Sequence, residues 1–174
     1  MTKFVNYLGQ LRIYFLVDLV LLVVAFHLST KSLVGAVLLW LGFISYLEYC
    51  HQHSYRYRFP FFVSMSLATA GLWYFGIDGV VFLLWSILYC KKNQNGWGLV
   101  SPIFRGLQTM TLVWSKGSWQ TVLLSGLLIA FRNLLGDARD TSKDRKVGME
   151  TWPVLFNWSD HKYLHRLIPI TSVR

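Results

Sequence analysis

Long apolar runs separated by short polar connections limit the fold of this chain more than any other feature of its sequence. A helix that crosses the hydrocarbon core of a bilayer needs roughly 20 apolar residues, and about 17 suffice. The runs that approach this length are Ile13–Leu28, Leu33–Tyr49, Phe59–Phe75, Ile77–Cys90, Leu99–Trp114 and Trp119–Leu135. Lipid offers no partner to an unpaired backbone group, and the runs lack the alternation of barrel strands, so helices are expected. The pattern predicts an all-α, polytopic transmembrane helical bundle of about six spans, with residues 1–174 forming a single domain.

The composition supports lipid as the solvent for much of this surface. Of the 174 residues, 54% are hydrophobic and 14% are charged, whereas a soluble domain carries about 25% charged residues. A net charge of +9 would also suit nucleic acid, but the basic residues lie between the apolar runs rather than along one stripe. We therefore expect membrane lipid, and no nucleic acid, as the surrounding partner.

Basic residues also predict how the bundle is oriented. One set of connections contains Lys3, Arg12, Arg56, Arg58, Lys91 and Lys92, whereas the opposite set contains only Lys31 and Lys116. Because cytoplasmic loops carry the excess of Lys and Arg, the N-terminus and the segment after the last run are expected in the cytoplasm. Cys50 and Cys90 fall on the same side, where reduced thiols are the default.

One apolar run contains polar residues that do not suit lipid. Arg105 and Gln108 lie within Leu99–Trp114. Charged and amide side chains at membrane depth almost always face the interior of a bundle or a cavity. We expect this run to turn that face towards protein.

The acidic residues are concentrated directly after the last run. Asp137, Asp140 and Asp144 follow an i, i+3, i+7 spacing, which confines them to an arc of about 60° if the helix continues through them. Asn133 falls on the same face. The basic residues nearby lie elsewhere: Arg132, Arg139, Lys143 and Lys146 are on the opposite side and Arg145 is on one flank.

Carboxylates crowded on one face repel each other unless a cation lies among them. Oxygen ligands without nearby Cys or His favour Mg²⁺, or Mn²⁺, over zinc. Magnesium commonly bridges one or two carboxylates to phosphate groups, so the cluster suggests a diphosphate site at the membrane surface. The alternative is a solvated helix end in which Asp140 pairs with Lys143, as ordinary neighbours on a helix do.

The order Asn133, Gly136-Asp137, Arg139-Asp140, Asp144-Arg145, Gly148, Thr151 and Pro153 resembles the second aspartate-rich motif of the UbiA-type intramembrane prenyltransferases. That motif reads approximately D-x-x-D-x-x-x-D-x-x-x-G-x-x-T-x-P and follows the sixth span on the cytoplasmic side. The resemblance is strongest over 132–155 and weak elsewhere, although Leu88-Tyr89 followed by Lys91-Lys92 also fits the end of the fourth span.

The resemblance implies a fold like the N-terminal two-thirds of the UbiA-type bundle and an enzyme that transfers a (poly)prenyl group. The donor would be a polyprenyl diphosphate and the acceptor an aromatic or other lipophilic molecule, with Mg²⁺ as cofactor. Carried over by residue, Asp137, Asp140 and Asp144 are the catalytic, metal-binding set. Asn133, Arg145 and Lys146 are the candidates for contact with the diphosphate.

The sequence departs from the family at two places. The first acidic motif expected after the second span is replaced by LEYCHQHSYRYRFPFF, where Glu48 is the only carboxylate. Glu48, His51 and Gln52 could still donate ligands. His51 and His53 in this stretch, and His161 and His165 in the tail, suit interfacial positions as well as metal binding. The family's last spans have no counterpart after the motif. A truncated gene, a shortened and inactive relative, and a homo-oligomer that rebuilds the missing walls all stay open.

Two other functions fit parts of the pattern. A non-catalytic membrane protein could use the acidic and basic helix end as a docking or cation-binding surface, and the missing first motif favours this alternative. Lipid phosphatidyl transfer also uses intramembrane aspartates, but its signature begins D-G-x-x-A-R, and Asp137-Ala138-Arg139 lacks that glycine and spacing.

Overall fold

The structure, a computed structural model, describes residues 14–50, 60–93 and 96–158, and the regular elements among them are helices. In chain order they are α1 (Tyr14–Phe26), α2 (Thr30–Cys50), α3 (Phe61–Cys90), a 3-10 turn (Lys91–Asn93), α4 (Trp97–Val113), α5 (Trp119–Arg139), α6 (Thr141–Lys146) and α7 (Trp152–Leu155). The predicted all-α class is confirmed for this part of the chain.

Three of the helices are long and apolar enough to cross a membrane: α2, α3 and α5. They contain 21, 30 and 21 residues, and α3 covers two of the predicted runs. Only 22% of the apolar window of α3 and of α5 is buried within the protein, against 56% for α2. Exposed apolar side chains such as Trp73 and Leu128 cover these outer faces, as lipid contact requires.

Helix α3 is interrupted at Gly76, which divides it into a first half ending at Phe75 and a second half beginning at Ile77. Gly76 has φ +53° and ψ −126°, a conformation that a side chain would disfavour. A methyl group added at Gly79 would lie 3.5 Å from the Cα of Leu72, so the second half folds back along the first. The chain therefore turns between the predicted runs Phe59–Phe75 and Ile77–Cys90.

Small residues bring α2 and the first half of α3 into close contact. A methyl group at Gly42 would lie 3.0 Å from the backbone nitrogen of Ala68, and one at Gly71 would lie 2.9 Å from that of Leu39. Ser64 adds a hydrogen bond of 2.8 Å to the Gly42 carbonyl oxygen. Since higher positions in one helix meet lower positions in the other, the two helices run antiparallel. Helices in lipid associate through such close packing, because their apolar side chains gain no hydrophobic free energy by exchanging acyl chains for one another.

The second half of α3 packs against α2 through aromatic rings and against α4 through polar groups. The Phe43 ring lies 5.7 Å from the Tyr89 ring, centroid to centroid. Arg105 and Gln108 of α4 are 1% and 0% exposed, so the prediction that they face protein is confirmed. Helix α5 follows α4 closely, and a methyl group at Gly106 would lie 2.7 Å from the Gly126 carbonyl oxygen.

These contacts bring several chain ends to one end of the bundle. Lys92, after α3, contacts Asp137 near the end of α5. The indole nitrogen of Trp152 donates to the carbonyl oxygen of Leu99, near the start of α4. This end, where α3 and α5 finish and α4 begins, contains the predicted site.

Candidate functional site

The predicted acidic face forms where α5 passes into α6. Asp140 closes α5 and precedes α6, and its backbone donates to the Gly136 carbonyl oxygen at 3.1 Å and accepts from the Asp144 amide at 2.9 Å. Asp137 and Asp144 are 4% and 6% exposed, whereas Lys143, Arg145 and Lys146 are exposed. Asp137 and Asp144 are therefore buried while Lys143 and Lys146 lie on the solvated side predicted for them, but Arg139, predicted on that same side, has only 12% of its side chain exposed.

Lys92 is the partner of Asp137. Its ammonium nitrogen lies 2.5 Å from one carboxylate oxygen of Asp137, and 15% of the Lys92 side chain is exposed. The other oxygen of Asp137 is buried and has no hydrogen-bond partner among the described residues. One half of this carboxylate is thus satisfied by the protein and the other half is not.

Asp144 resembles Asp137 in its burial and in its incomplete hydrogen bonding. One of its oxygens is buried without a hydrogen-bond partner in the described part of the chain. Burial raises the pKa of Asp144 to about 6, and the negative charges of Asp137 and Asp140 add to this effect while Lys92 opposes it. The electrostatic influence of both aspartates and of Lys92 places Asp144 in the same cluster.

Lys92 carries a positive charge in this cluster. Burial alone would lower the pKa of its ammonium group, but the pKa is raised because Asp137 accepts a hydrogen bond from it and Asp144 adds negative charge. A buried ammonium beside two carboxylates leaves one negative charge uncompensated by Lys92 when both are ionised.

Asp140 differs from the other two aspartates. Arg139 donates to both of its oxygens, at 3.0 and 2.8 Å, in a bidentate pair, and 39% of the Asp140 side chain is exposed. Partial burial acts to raise the pKa of Asp140, but the pKa is lowered because the hydrogen bonds and charge of Arg139 outweigh burial. The pairing with Lys143 that the alternative of a solvated helix end proposed is replaced by pairing with Arg139.

The Gly, Thr and Pro positions of the motif dock the chain after α6 onto α4. Gly148 has φ +70°, which lets the chain reverse, and Thr151 precedes α7 in extended conformation. A methyl group at Gly98 would overlap the carbonyl oxygen of Glu150, so glycine is required at this contact. Thr151 is fully buried, and its hydroxyl has no hydrogen-bond partner among the described residues.

The remaining predicted residues lie at different distances from this centre. Asn133, one turn before Asp137, accepts a hydrogen bond of 3.2 Å from the Tyr89 hydroxyl through its amide oxygen, and its amide nitrogen is buried without a described partner. Arg145 donates to Asn157 at 2.8 Å on the surface, and Lys146 is exposed. Glu48 is buried near the end of α2.

Some sequence predictions fall outside the described residues. These are the basic residues Lys3, Arg12, Arg56 and Arg58, the histidines His51, His53, His161 and His165, and the rest of 51–59.

A metal ion would meet a limited ligand set here. Among the residues that the structure describes, no group of three or more His, Cys, Asp or Glu side chains is placed to hold a metal ion. Asp137 and Asp144 nevertheless each present one unpartnered buried oxygen. Mg²⁺ typically takes one or two protein carboxylates and completes its shell with water and phosphate oxygens, so this pair fits Mg²⁺ in a complex with a diphosphate.

Lys92 is the site residue that the sequence did not single out. It lies 45 residues before Asp137, and Lys91 directly precedes it. Lys91 instead places its ammonium group 5.7 Å from the centre of the Trp97 ring. The end of an apolar run predicts a basic pair at the interface, but the choice between two adjacent lysines depends on tertiary packing.

Comparison of this chain with protein-family models, with curated proteins and with solved structures found no match.

Proposed function

We propose that the chain is a UbiA-type prenyltransferase-like membrane protein that binds a prenyl diphosphate through Mg²⁺ at the end of the bundle where α5 meets α6. The observation that carries this proposal is the pair of buried carboxylates, Asp137 and Asp144, each with an unpartnered oxygen beside the Lys92 ammonium. Leaving buried polar atoms unsatisfied costs free energy, so two such oxygens side by side with an ammonium group call for a further partner, which a metal ion would supply.

The membrane arrangement is part of the proposal. Helices α1, α2, the two halves of α3, α4 and α5 would make six crossings, with the acidic end at the cytoplasmic surface. The acidic end has Lys91 and Lys92, and the opposite connections have Lys31 and Lys116, so these four residues alone favour neither orientation. The excess of basic residues at the acidic end arises when those of 51–59 and of the termini are added. A lipophilic tail would extend from the acidic end towards the apolar helices.

The residues of the site would have different roles, according to their charge and their burial. Asp137 and Asp144 would hold Mg²⁺, while Lys92 and the amide nitrogen of Asn133 would face the diphosphate oxygens. Arg145 and Lys146, on the exposed side, would attract the anionic headgroup from solution. Asp140, engaged by Arg139, would act mainly through its charge, and Glu48 stays a further candidate ligand.

The reaction implied is prenyl transfer. The bond between the allylic carbon and the diphosphate oxygen breaks, the acceptor forms a bond to that carbon and then loses a proton, and diphosphate leaves. Bound Mg²⁺ would supply stabilisation of the negative charge that develops on the leaving diphosphate. Lys92 adds a donor and a positive charge at the same place, in a buried setting where both act strongly.

A non-catalytic docking or cation-binding role is the second candidate. It is favoured by the internal pairing of Asp137 with Lys92 and of Asp140 with Arg139, which compensates two acidic charges without any metal. In that case the exposed basic residues of α6 would contact a protein partner, and prenyl transfer would be absent with every acceptor.

Binding of a radiolabelled prenyl diphosphate to the purified protein in detergent, with Mg²⁺ present, separates these functions. Asp144→Asn should weaken binding more than about 10-fold, since even outer partners of metal ligands cost that much. Asp78→Asn is the matched control, because it makes the same change beside the Gly76 turn. Undiminished binding in Asp144→Asn would discard the site. An absence of binding in the unmodified protein, with a protein partner that co-purifies, would establish the docking role.

A further inference from the structure

The chain contains two cysteines, Cys50 and Cys90, and the fold brings them together although they are 40 positions apart. Cys50 is the last residue of α2 and Cys90 is the last residue of α3. The side chain of Cys50 is hydrogen-bonded to that of Cys90. Both residues are half-buried and neither is joined in a disulfide, so a small reagent can reach them.

Helix packing explains why these thiols meet. Along the contact between α2 and the second half of α3, the Trp40 ring lies 6.4 Å from the Phe82 ring, and the Phe43 ring lies 5.7 Å from the Tyr89 ring. Both segments therefore advance in the same direction, and their last residues reach the same end of the bundle. The two thiols are therefore brought together by aromatic rings that pack between the two helices, and not by a loop.

The surroundings of Cys50 favour its reaction as a nucleophile. The Tyr46 side chain, one helical turn earlier, also hydrogen-bonds to Cys50. Tyr46 is itself held by stacking on Tyr49, with ring centroids 6.4 Å apart. Hydrogen bonds to a sulfur stabilise the thiolate, which is the form that attacks a disulfide.

We propose that Cys50 and Cys90 form a reactive dithiol that closes into an intramolecular disulfide by exchange with a low-molecular-weight disulfide. The proposal is independent of the prenyl-diphosphate site, because it uses neither the aspartates nor a metal ion. The closed form joins the end of α2 to the end of α3, two residues before Lys92, and so fixes these two helices at the end of the bundle.

The exchange balances in two steps. The Cys50 thiolate attacks one sulfur of the oxidant, forming a mixed disulfide and releasing one thiolate, which takes up a proton. The Cys90 sulfur then attacks the Cys50 sulfur and loses its proton, the mixed bond breaks, and the second half of the oxidant leaves as a thiol. One dithiol is oxidised and one small disulfide is reduced to two thiols.

Oxidised glutathione, added to the reduced protein in detergent micelles, tests the proposal by mass spectrometry without reductant. The expected product is a monomer lighter by about 2 Da, with one proteolytic fragment pair joined through Cys50 and Cys90. Its melting temperature should rise by several degrees and return when a reductant is added. Cys90→Ser should instead retain one glutathione on Cys50, and Tyr46→Phe should slow closure several-fold.

Other results overturn the proposal. They are a monomer that accepts two glutathione molecules without closing, a disulfide between two chains, and the absence of any reaction. A Cys90→Ser protein that melts like the unmodified reduced protein verifies that the substitution leaves the fold intact. Since prenyl diphosphate is absent from this experiment, its result does not depend on whether the chain binds that ligand.

Discussion

The Arg105 network and the acidic end are both sets of polar side chains enclosed by an apolar bundle, but they are satisfied to different degrees. Arg105 donates to Gln108 at 2.5 Å, and Gln108 donates to Ser86 at 2.7 Å. The Arg105 guanidinium also lies within 5.5 Å of the Tyr89 ring centre and closer still to two other rings. At the acidic end, by contrast, oxygens of Asp137, Asp144 and Thr151 are buried without partners among the described residues.

The degree of pairing separates polar groups that stabilise the fold from polar groups that are available to a ligand. A buried polar network that is fully paired holds helices together, because breaking it would leave a charge or amide unsatisfied. A group that is buried and only half paired costs free energy on its own, and an ion, a water molecule or a ligand can supply the missing partner. We therefore assign the Arg105 network and the Lys92–Asp137 pair to stability, and we propose that the unpartnered oxygens of Asp137 and Asp144 serve binding.

The largest change in stability is expected for Lys92→Met. This substitution leaves the Asp137 carboxylate buried without its cation, and breaking such a pair typically costs about 3–5 kcal/mol. Lys91→Met is the matched control, since Lys91 is exposed and contributes only a contact with the Trp97 ring. Thermal melts of the two variants in the same detergent should therefore differ by many degrees. Equal melting temperatures would show that the Lys92 pair is not a structural element.

Gln108→Leu tests the other side of the comparison. It removes the acceptor of Arg105 and the donor to Ser86, and a hydrogen bond to a charged group contributes about 1.5–3 kcal/mol. We expect a loss of about 2 kcal/mol in stability and no change in prenyl diphosphate binding. Thr111→Val, on the same helix, removes only a bond to the backbone of its own turn and should be nearly neutral. A clear loss of ligand binding in Gln108→Leu would place the Arg105 network in the site.

Asp144→Asn should have a smaller effect on stability, and in the opposite direction. The pKa of Asp144 is raised to about 6, so the contribution of this group to stability is fully present below its unfolded pKa and is lost as the pH rises through about 6. At pH 7 the ionised Asp144 therefore destabilises the metal-free protein, and asparagine should recover about 1 kcal/mol after allowance for solvent screening. Melting temperatures of the two proteins should converge towards pH 4. A variant that is less stable at pH 7 would contradict the half-paired state of Asp144.

The parts of this structure that could be predicted from the sequence are those controlled by local periodicity. Apolar runs predict the helices, and the break between Phe59–Phe75 and Ile77–Cys90 predicts the turn in α3. The spacing of Asp137, Asp140 and Asp144 predicts an acidic face, of which Asp137 and Asp144 are buried and Asp140 is not. The prediction that Arg105 and Gln108 face protein rather than lipid is also confirmed. In each case local sequence decides the outcome, through the helical repeat or through the cost of placing a polar side chain in lipid.

Other features depend on contacts between distant segments. Lys92 reaches Asp137 only because the second half of α3 and α5 lie side by side, and nothing local distinguishes it from Lys91. Gly98 is required by the approach of Glu150, which comes from a segment more than one helix away. The alternative of a solvated helix end paired Asp140 with Lys143, yet the helix ends at Arg139 and the Arg139 guanidinium binds the carboxylate of Asp140 instead.

The most direct measurement is electron–nuclear double resonance of Mn²⁺ bound to the protein in detergent with a prenyl diphosphate, after the aspartate carboxylates are labelled with ¹³C. Mn²⁺ replaces Mg²⁺ at oxygen sites and reports the nuclei attached to its ligands. We predict coupling to the labelled carboxylates and to phosphorus, and a reduced carboxylate coupling in Asp144→Asn. Mn²⁺ that couples to phosphorus but to no carboxylate, or that does not bind at all, would contradict a divalent ion held by Asp137 and Asp144.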